Sequence, residues 1–203
     1  RYPNLTIDCE TYNLFDTIEK CGEEQADGSI INYDNISNLN IIVNSKHYKT
    51  DNINKELTLI TKTNNGVVNN ITITINGNLN VFSFAAVAAT NYGTIKNVSV
   101  VGLNSSKVVV GFNTTRTDKD PSAGAIALVN EFANIDKYGV IEYSNNALTI
   151  AAGIESKTIY IGGICAKNNS FIKRCYNTAN LKSIIVGGIT ASNEYAVSEC
   201  FNT

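Results

Sequence analysis

The only histidine, His47, sits in a polar run with Lys46, Lys49 and Asp51. As a general base it would need a nucleophile within reach and an acid to orient it. The chain carries neither a Gly-X-Ser-X-Gly nor a catalytic-cysteine signature, so His47 reads as a solvated loop residue. Zinc chemistry needs clustered ligands, and no Cys-X-X-Cys or His-X-X-X-His pair occurs. Asp118 and Asp120, with oxygens from Asn113 and Thr115, are the best calcium ligands on offer. They lack the spaced set that defines such a site and read as a solvated turn ahead of Pro121. Cleavage of polysaccharides calls for paired carboxylates on one face. Here Glu10, Asp16, Glu19, Glu23 and Glu24 cluster near the N-terminus, whereas Glu131, Asp136, Glu142, Glu155, Glu194 and Glu199 are scattered, with no two expected at one register. No catalytic residue, metal ligand or cofactor is assigned.

Cysteine, asparagine and aromatic side chains offer other chemistry. Cys175 and Cys200 share a repeat register, and neighbouring strands about 4.8 Å apart satisfy the Cα separation of about 4.4–6.8 Å that a disulfide needs; stacked free thiols fit the same spacing. Cys9 and Cys21 pair only if a helix starts near Leu14 and the preceding segment folds back, because one continuous helix would hold them roughly 18 Å apart. Sequons for N-glycosylation lie at Asn4, Asn35, Asn70, Asn97, Asn104, Asn113 and Asn168. Tyr176 and Phe201 share a register one residue beyond the cysteines, and alternation points them outward. They are the candidate glycan-contact aromatics, with ladder packing as the alternative reading.

Net charge is −2 and only 17% of the 203 residues are charged, which excludes the basic stripe of a nucleic-acid binder. No apolar run approaches the roughly 20 residues of a membrane span. The chain has no Met, so Arg1 is read as following a removed signal peptide or as lying within a longer protein.

What must position these side chains is a repeat. Ala-Ala-Val-Ala-Ala-Thr-Asn from Ala85, Gly-Ala-Ile-Ala-Leu-Val-Asn from Gly124, Gly-Gly-Ile-Cys-Ala-Lys-Asn from Gly162 and Gly-Gly-Ile-Thr-Ala-Ser-Asn from Gly187 each begin with small residues and reach Asn six positions on. Alternating segments such as Leu39, Ile41, Val43 and Ile71, Ile73, Ile75 predict half-buried strands. Turns rich in Asn and Gly separate them. Aligning the repeats predicts an inward column of Leu39, Ile71, Val98, Cys175 and Cys200. Its intervals, 27 residues from Ile71 to Val98 and 25 from Cys175 to Cys200, suit a coil of three short strands. The longer intervals predict inserted loops over Val109–Ser122 and Tyr138–Lys157. Residues 1–26 form a distinct N-terminal cap, where Asn13, Asp16, the face of Leu14, Phe15, Ile18 and Cys21, and a stop at Gly22 predict a short helix; the repeats fill 27–203.

Ile36-Ser37-Asn38-Leu39-Asn40-Ile41, Asn91 through Val98, and Gly162-Gly163-Ile164 through Ile172-Lys173-Arg174-Cys175-Tyr176-Asn177 resemble the GLUG-motif repeats of bacterial and protist cell-surface proteins. The resemblance spans roughly Asp27 to Thr203 and departs from the usual glycine pair at Ala85-Ala86. It implies an all-β fold, a right-handed parallel β-helix, on large secreted or surface-anchored proteins, and brings no catalytic residues. The expectation is a non-enzymatic extracellular stalk, adhesin segment or filament subunit; the alternative is a carbohydrate-active β-helix enzyme. Because the last repeat stops partway through its turn, its partners are expected to be further repeats or other copies of the chain, with surface glycans a further candidate.

Overall fold

Parallel strands account for nearly all the regular structure. The computed structural model describes residues 5–8, 23–24, 30–45, 53–153 and 158–203. The expected capping helix, His47, Cys9, Cys21, Asn4 and Glu155 lie outside them.

The chain visits four parallel sheets in a fixed cyclic order. One circuit runs Thr61–Asn64, Val67–Asn76, Leu79–Val81, Ser83–Ala85, and the next Ala88–Asn91, Thr94–Leu103, Lys107–Val110, Ser122–Gly124. Each strand pairs in parallel with its counterpart one circuit on, as in Asn64 with Asn91, Ile71 with Val98, Leu79 with Val108 and Phe84 with Ala123. We call the four sheets, in that order, the asparagine sheet, the broad sheet, the third and the fourth. A circuit therefore has four sides, where the repeat length had suggested three. A sheet of two or three residues suffices for a side when sharp corners flank it, and repeat length cannot distinguish that from three longer strands.

The broad sheet shows how the sequence sets the backbone. In Val67–Asn76 the buried residues are Val68, Ile71, Ile73 and Ile75, so inward alternation slips by one between Val68 and Ile71. Asn70 makes the slip by adopting φ 54°. A left-handed residue re-phases the strand so that both halves face the core, and Asn tolerates that conformation better than most residues. The same kink recurs in register at Asn38, Asn97, Tyr143, Arg174 and Glu199.

Immediately after each kink comes the expected inward column. Leu39 pairs with Ile71 and Ile71 with Val98, and Tyr176 opposite Phe201 places Cys175 beside Cys200. One member had been missed: Ser144 lies between Val98 and Cys175, its Oγ accepting from the Val98 N–H at 3.2 Å and donating to the Glu142 carbonyl at 3.0 Å. Around this column, fully buried Ile41, Leu57, Ile73, Leu79, Phe84, Val100, Ile126 and Ile161 form one continuous core. Each contributes about 1.5–3 kcal/mol by leaving water.

The expected first insertion holds for Gly111 to Pro121, although Val109 and Val110 belong to a strand. The second is corrected in part. Val140–Glu142, Asn145–Ala147 and Thr149–Ala152 are regular strands of the fourth circuit, and the added length lies on either side of them: in the antiparallel hairpin Phe132–Asn134/Lys137–Tyr138 just before, and between Ala152 and Tyr160, where the chain takes more residues than between the paired strands Leu181–Lys182 and Ile185–Gly187. Polar short strands broken at Tyr143 and Leu148 had resembled loop sequence.

An interior column of asparagines occupies the corner between the first two sheets. Asn32, Asn64, Asn91, Asn130, Asn168 and Asn193 follow one another, each Nδ2 donating to the next Oδ1 at 2.8, 2.8, 2.9, 2.8 and 2.8 Å. The amides also hold the corner, Asn91 Nδ2 donating to the Gly93 carbonyl at 3.1 Å and the Gly93 N–H returning to Asn91 Oδ1 at 3.3 Å. Burying an amide is costly only if its hydrogen bonds go unmade, and here they are made. Glycine is needed beside it, since a Cβ on Gly66 or Gly93 would come within 2.1 Å of the carbonyl oxygen of Asp34 or Gly66, one circuit earlier.

Candidate functional site

Tyr176 and Phe201 do come together. They pair across the broad sheet, and their rings stack with centroids 5.2 Å apart and planes 6° from parallel. Each ring covers a face of the other, as ladder packing does. Beside them the kink residues form a polar row, Arg174 meeting Glu199 at 2.8 Å and also bonding the Tyr143 hydroxyl.

A different aromatic cluster lies at the corner of the asparagine and broad sheets. The residue after each column asparagine faces outward, which stacks Tyr33, Asn65 and Tyr92 over three successive circuits. At the next circuit the chain leaves this row at Glu131, forms the hairpin, and returns at Val140 opposite Thr94. The hairpin turn is set by an Asn134 side chain accepting from the Asp136 N–H at 3.0 Å, and its base by the Gly139 N–H donating to the Glu131 carbonyl at 2.8 Å. It folds back so that Lys137 Nζ sits 5.1 Å from the centre of the Tyr92 ring. Between hairpin and circuits is a cleft of about 510 Å³ lined by Tyr33, Asn65, Tyr92, Asp136, Lys137 and Tyr138, along with glycines and strand residues of the circuits. Sequence reasoning missed this site because the hairpin was read as regular chain; the offset of Glu131 from Val140 was the signal available.

The acids sit in separate pairs. Glu131 and Glu194 do share a register, contrary to expectation, but two circuits apart with Asn169 between them. Asn169 Nδ2 donates to both Glu131 oxygens at 3.1 Å, and Glu194 meets Lys167 at 3.1 Å. Glu142 meets Lys173 at 3.1 Å. In the insertion, Arg116 grips Asp118 with bonds of 2.9 and 2.5 Å, and this hydrogen bonding holds the Asp118 carboxyl down at about 2. Asn54 Oδ1 accepts from the Thr114 hydroxyl and the Thr115 N–H at 2.8 and 3.1 Å, so Thr115 and Asp118, two of the residues weighed as calcium ligands, belong to a turn held by Asn54 and Arg116.

Cys165, Cys175 and Cys200 are free thiols. Cys175 and Cys200 are neighbours, the Cys175 N–H donating to Cys200 Sγ at 3.3 Å. Their thiols are coupled: hydrogen bonding from Cys175 lowers Cys200 to about 7, and the same contact, with burial, raises Cys175. Burial pushes Cys165 up to about 12. Among the sequons, Asn35, Asn70, Asn97, Asn104 and Asn113 are exposed. Asn168 is withdrawn from that set, because it is fully buried with its Nδ2 committed to Asn193 at 2.8 Å and the Ser170 carbonyl at 3.0 Å.

No helix among the described residues is long and apolar enough to cross a membrane. No family model matches the chain, and no curated protein or solved structure matches it significantly.

Proposed function

We propose that the chain is part of an extracellular, non-enzymatic right-handed parallel β-helix of GLUG-like repeats, acting as a stalk, adhesin segment or filament subunit at a cell surface. The observation that carries this reading is the uninterrupted parallel register of the asparagine sheet, from Asn32 to Asn193, which supports stacking of equivalent circuits along one axis. Exposed sequons at Asn35, Asn70, Asn97, Asn104 and Asn113 suit a secreted surface. Further repeats or another copy of the chain are the proposed partners, and the exposed Ile184, Val186 and Val197 of the last two circuits give them apolar surface to cover. Electron microscopy and sedimentation of the native material, with its intact mass, test the reading: elongated rods or filaments are expected. Compact particles would overturn it, as would turnover of pectin or alginate that disappears when one named acid is replaced.

A further inference from the structure

We propose that the cleft under the Phe132–Tyr138 hairpin binds a neutral saccharide, an activity that goes beyond the scaffold reading and does not depend on it. Three observations converge on this ligand. The first is aromatic surface: Tyr33 and Tyr138 line the cleft and are 52% and 44% exposed, while the face of Tyr92 is occupied by Lys137. Tyrosine rings present an apolar face to the C–H side of a pyranose and a hydroxyl to its rim. The second is an acceptor without a donor. Asn65 Oδ1 is buried in the lining and has no hydrogen-bond partner, a state that buried polar atoms rarely keep and that, among the described residues, only Asn169 Oδ1 and Ser170 Oγ share, both outside the cleft. A sugar hydroxyl is a donor of the right size, and it reaches this shielded oxygen once the Asn65 amide turns toward the cleft. The third is charge. Asp136 and Lys137 bring one carboxylate and one ammonium to the same rim, so the site can accept from and donate to hydroxyls while offering no net charge to an acidic or basic ligand.

Size and origin agree with this use. About 510 Å³ lies within the range of roughly 300–1,000 Å³ found for small-molecule sites. The hairpin is an insertion in an otherwise repetitive chain, and inserted loops on a rigid frame are where binding residues concentrate. Tyr138 is itself held from behind by Phe171, edge to face at 5.5 Å, which fixes its ring without help from the ligand.

The test is titration of the full chain with neutral gluco-, galacto-, manno- and N-acetylglucosamine oligosaccharides, followed by saturation-transfer NMR and calorimetry. At least one series should bind. Tyr33→Ala, Tyr138→Ala and Asn65→Leu should each weaken it about tenfold or more, with Tyr138→Phe close to the parent and Tyr176→Ala, outside the cleft, unchanged. Equal circular dichroism and melting temperature across the variants keep the comparison valid, and Asp136→Ala, on the exposed hairpin turn, gives an independent loss should an aromatic variant unfold. The proposal is overturned if no neutral series binds, if acidic uronate oligomers bind in preference, or if binding survives Tyr33→Ala and Tyr138→Ala but falls with Tyr176→Ala.

Discussion

The broad sheet is bounded by two corners that solve one problem differently. At its entrance an inward asparagine turns the chain in all six circuits, from Asn32 to Asn193. At its exit the first circuits place Ile41, Ile73 and Val100 at the equivalent inward position, and the later ones place Asn146, Asn177 and Asn202 there. The substitution changes the corner. From the inward column to the third sheet the chain needs eight residues in one early circuit, Ile71 to Leu79, and ten in the next, Val98 to Val108. It needs six from Ser144 to Ile150 and six from Cys175 to Leu181. Asn146 explains the saving: its Oδ1 accepts from the Leu148 N–H at 2.9 Å and its Nδ2 donates to the Leu148 carbonyl at 3.3 Å, doing inside the core what two or more extra residues do through Gly77 (φ 99°) or through Asn104 and Ser105 (φ 51° and 62°). An aliphatic column stabilises by burial and leaves the turn to other residues. An asparagine column supplies the turn itself but must satisfy every polar atom it brings inside.

The largest difference between the corners should appear in thiol chemistry. Cys165 lies on the buried strand that leads into the entrance corner, and Cys200 in the half-exposed inward column two residues ahead of the exit position at Asn202. Burial pushes the Cys165 thiol up and hydrogen bonding from Cys175 lowers Cys200, so near neutral pH the thiolate is concentrated at Cys200. Iodoacetamide should label Cys200 at a rate that rises as pH passes through about 7 and then levels off, leaving Cys165 unmodified until the chain unfolds; comparable rates at the two sites would break the comparison. Non-reducing peptide maps of the same samples show whether Cys175 and Cys200 become linked. For Cys165 the sign is that of a raised group: the stability from its buried neutral thiol is present below the ordinary value of 9.0 and is lost as pH climbs toward about 12.

Next in size is the entrance column. Asn91→Ala removes donors to Gly93 and Asn130 and strands the Asn64 amide and the Gly93 N–H. A loss of about 3–5 kcal/mol is expected in chemical denaturation. The control is Asn40→Ala, exposed on the broad sheet, at about 0.5 kcal/mol or less. Asn146→Val, which gives the exit corner the residue type of Val100, is expected to cost about 2–3 kcal/mol because the short corner keeps its Leu148 N–H and loses the acceptor. If it stabilises instead, the difference in corner length has another cause. The smallest effect belongs to the surface. The Asp118 carboxyl should titrate by NMR near 2, returning toward 3.8 in Arg116→Gln. As a lowered group, its contribution to stability is present above 3.8 and fades as pH falls through about 2.

The sequence made the two columns legible to different degrees. Leu39, Ile71 and Val98 declare themselves by alternation, and the repeats carried the same register to Cys175 and Cys200. Ser144 stayed hidden because its circuit lacks the glycine pair and follows the inserted hairpin. The asparagine at the end of each repeat was visible at Asn91, Asn130, Asn168 and Asn193, yet it marked a period without showing that it points inward. An amide reads as surface by its polarity, and only the backbone around it reveals that all its hydrogen bonds are met. The Asn-X-Gly spacing at Asn64 and Asn91 was the local trace of that turn. The cleft could not be read at all, since it needs Tyr33, Asn65 and Tyr92 stacked from three circuits and a hairpin folded over them.

The central claim, that a continuous asparagine column, buried from Asn32 to Asn168, turns every circuit, is tested most directly by side-chain amide exchange in asparagine-labelled protein. The Nδ2 protons of Asn64, Asn91, Asn130 and Asn168 should exchange at least about a hundredfold more slowly than those of exposed Asn40 and Asn104, since each is released only by opening of the core. Exchange at Asn91 and Asn130 as fast as at Asn40 would contradict the account.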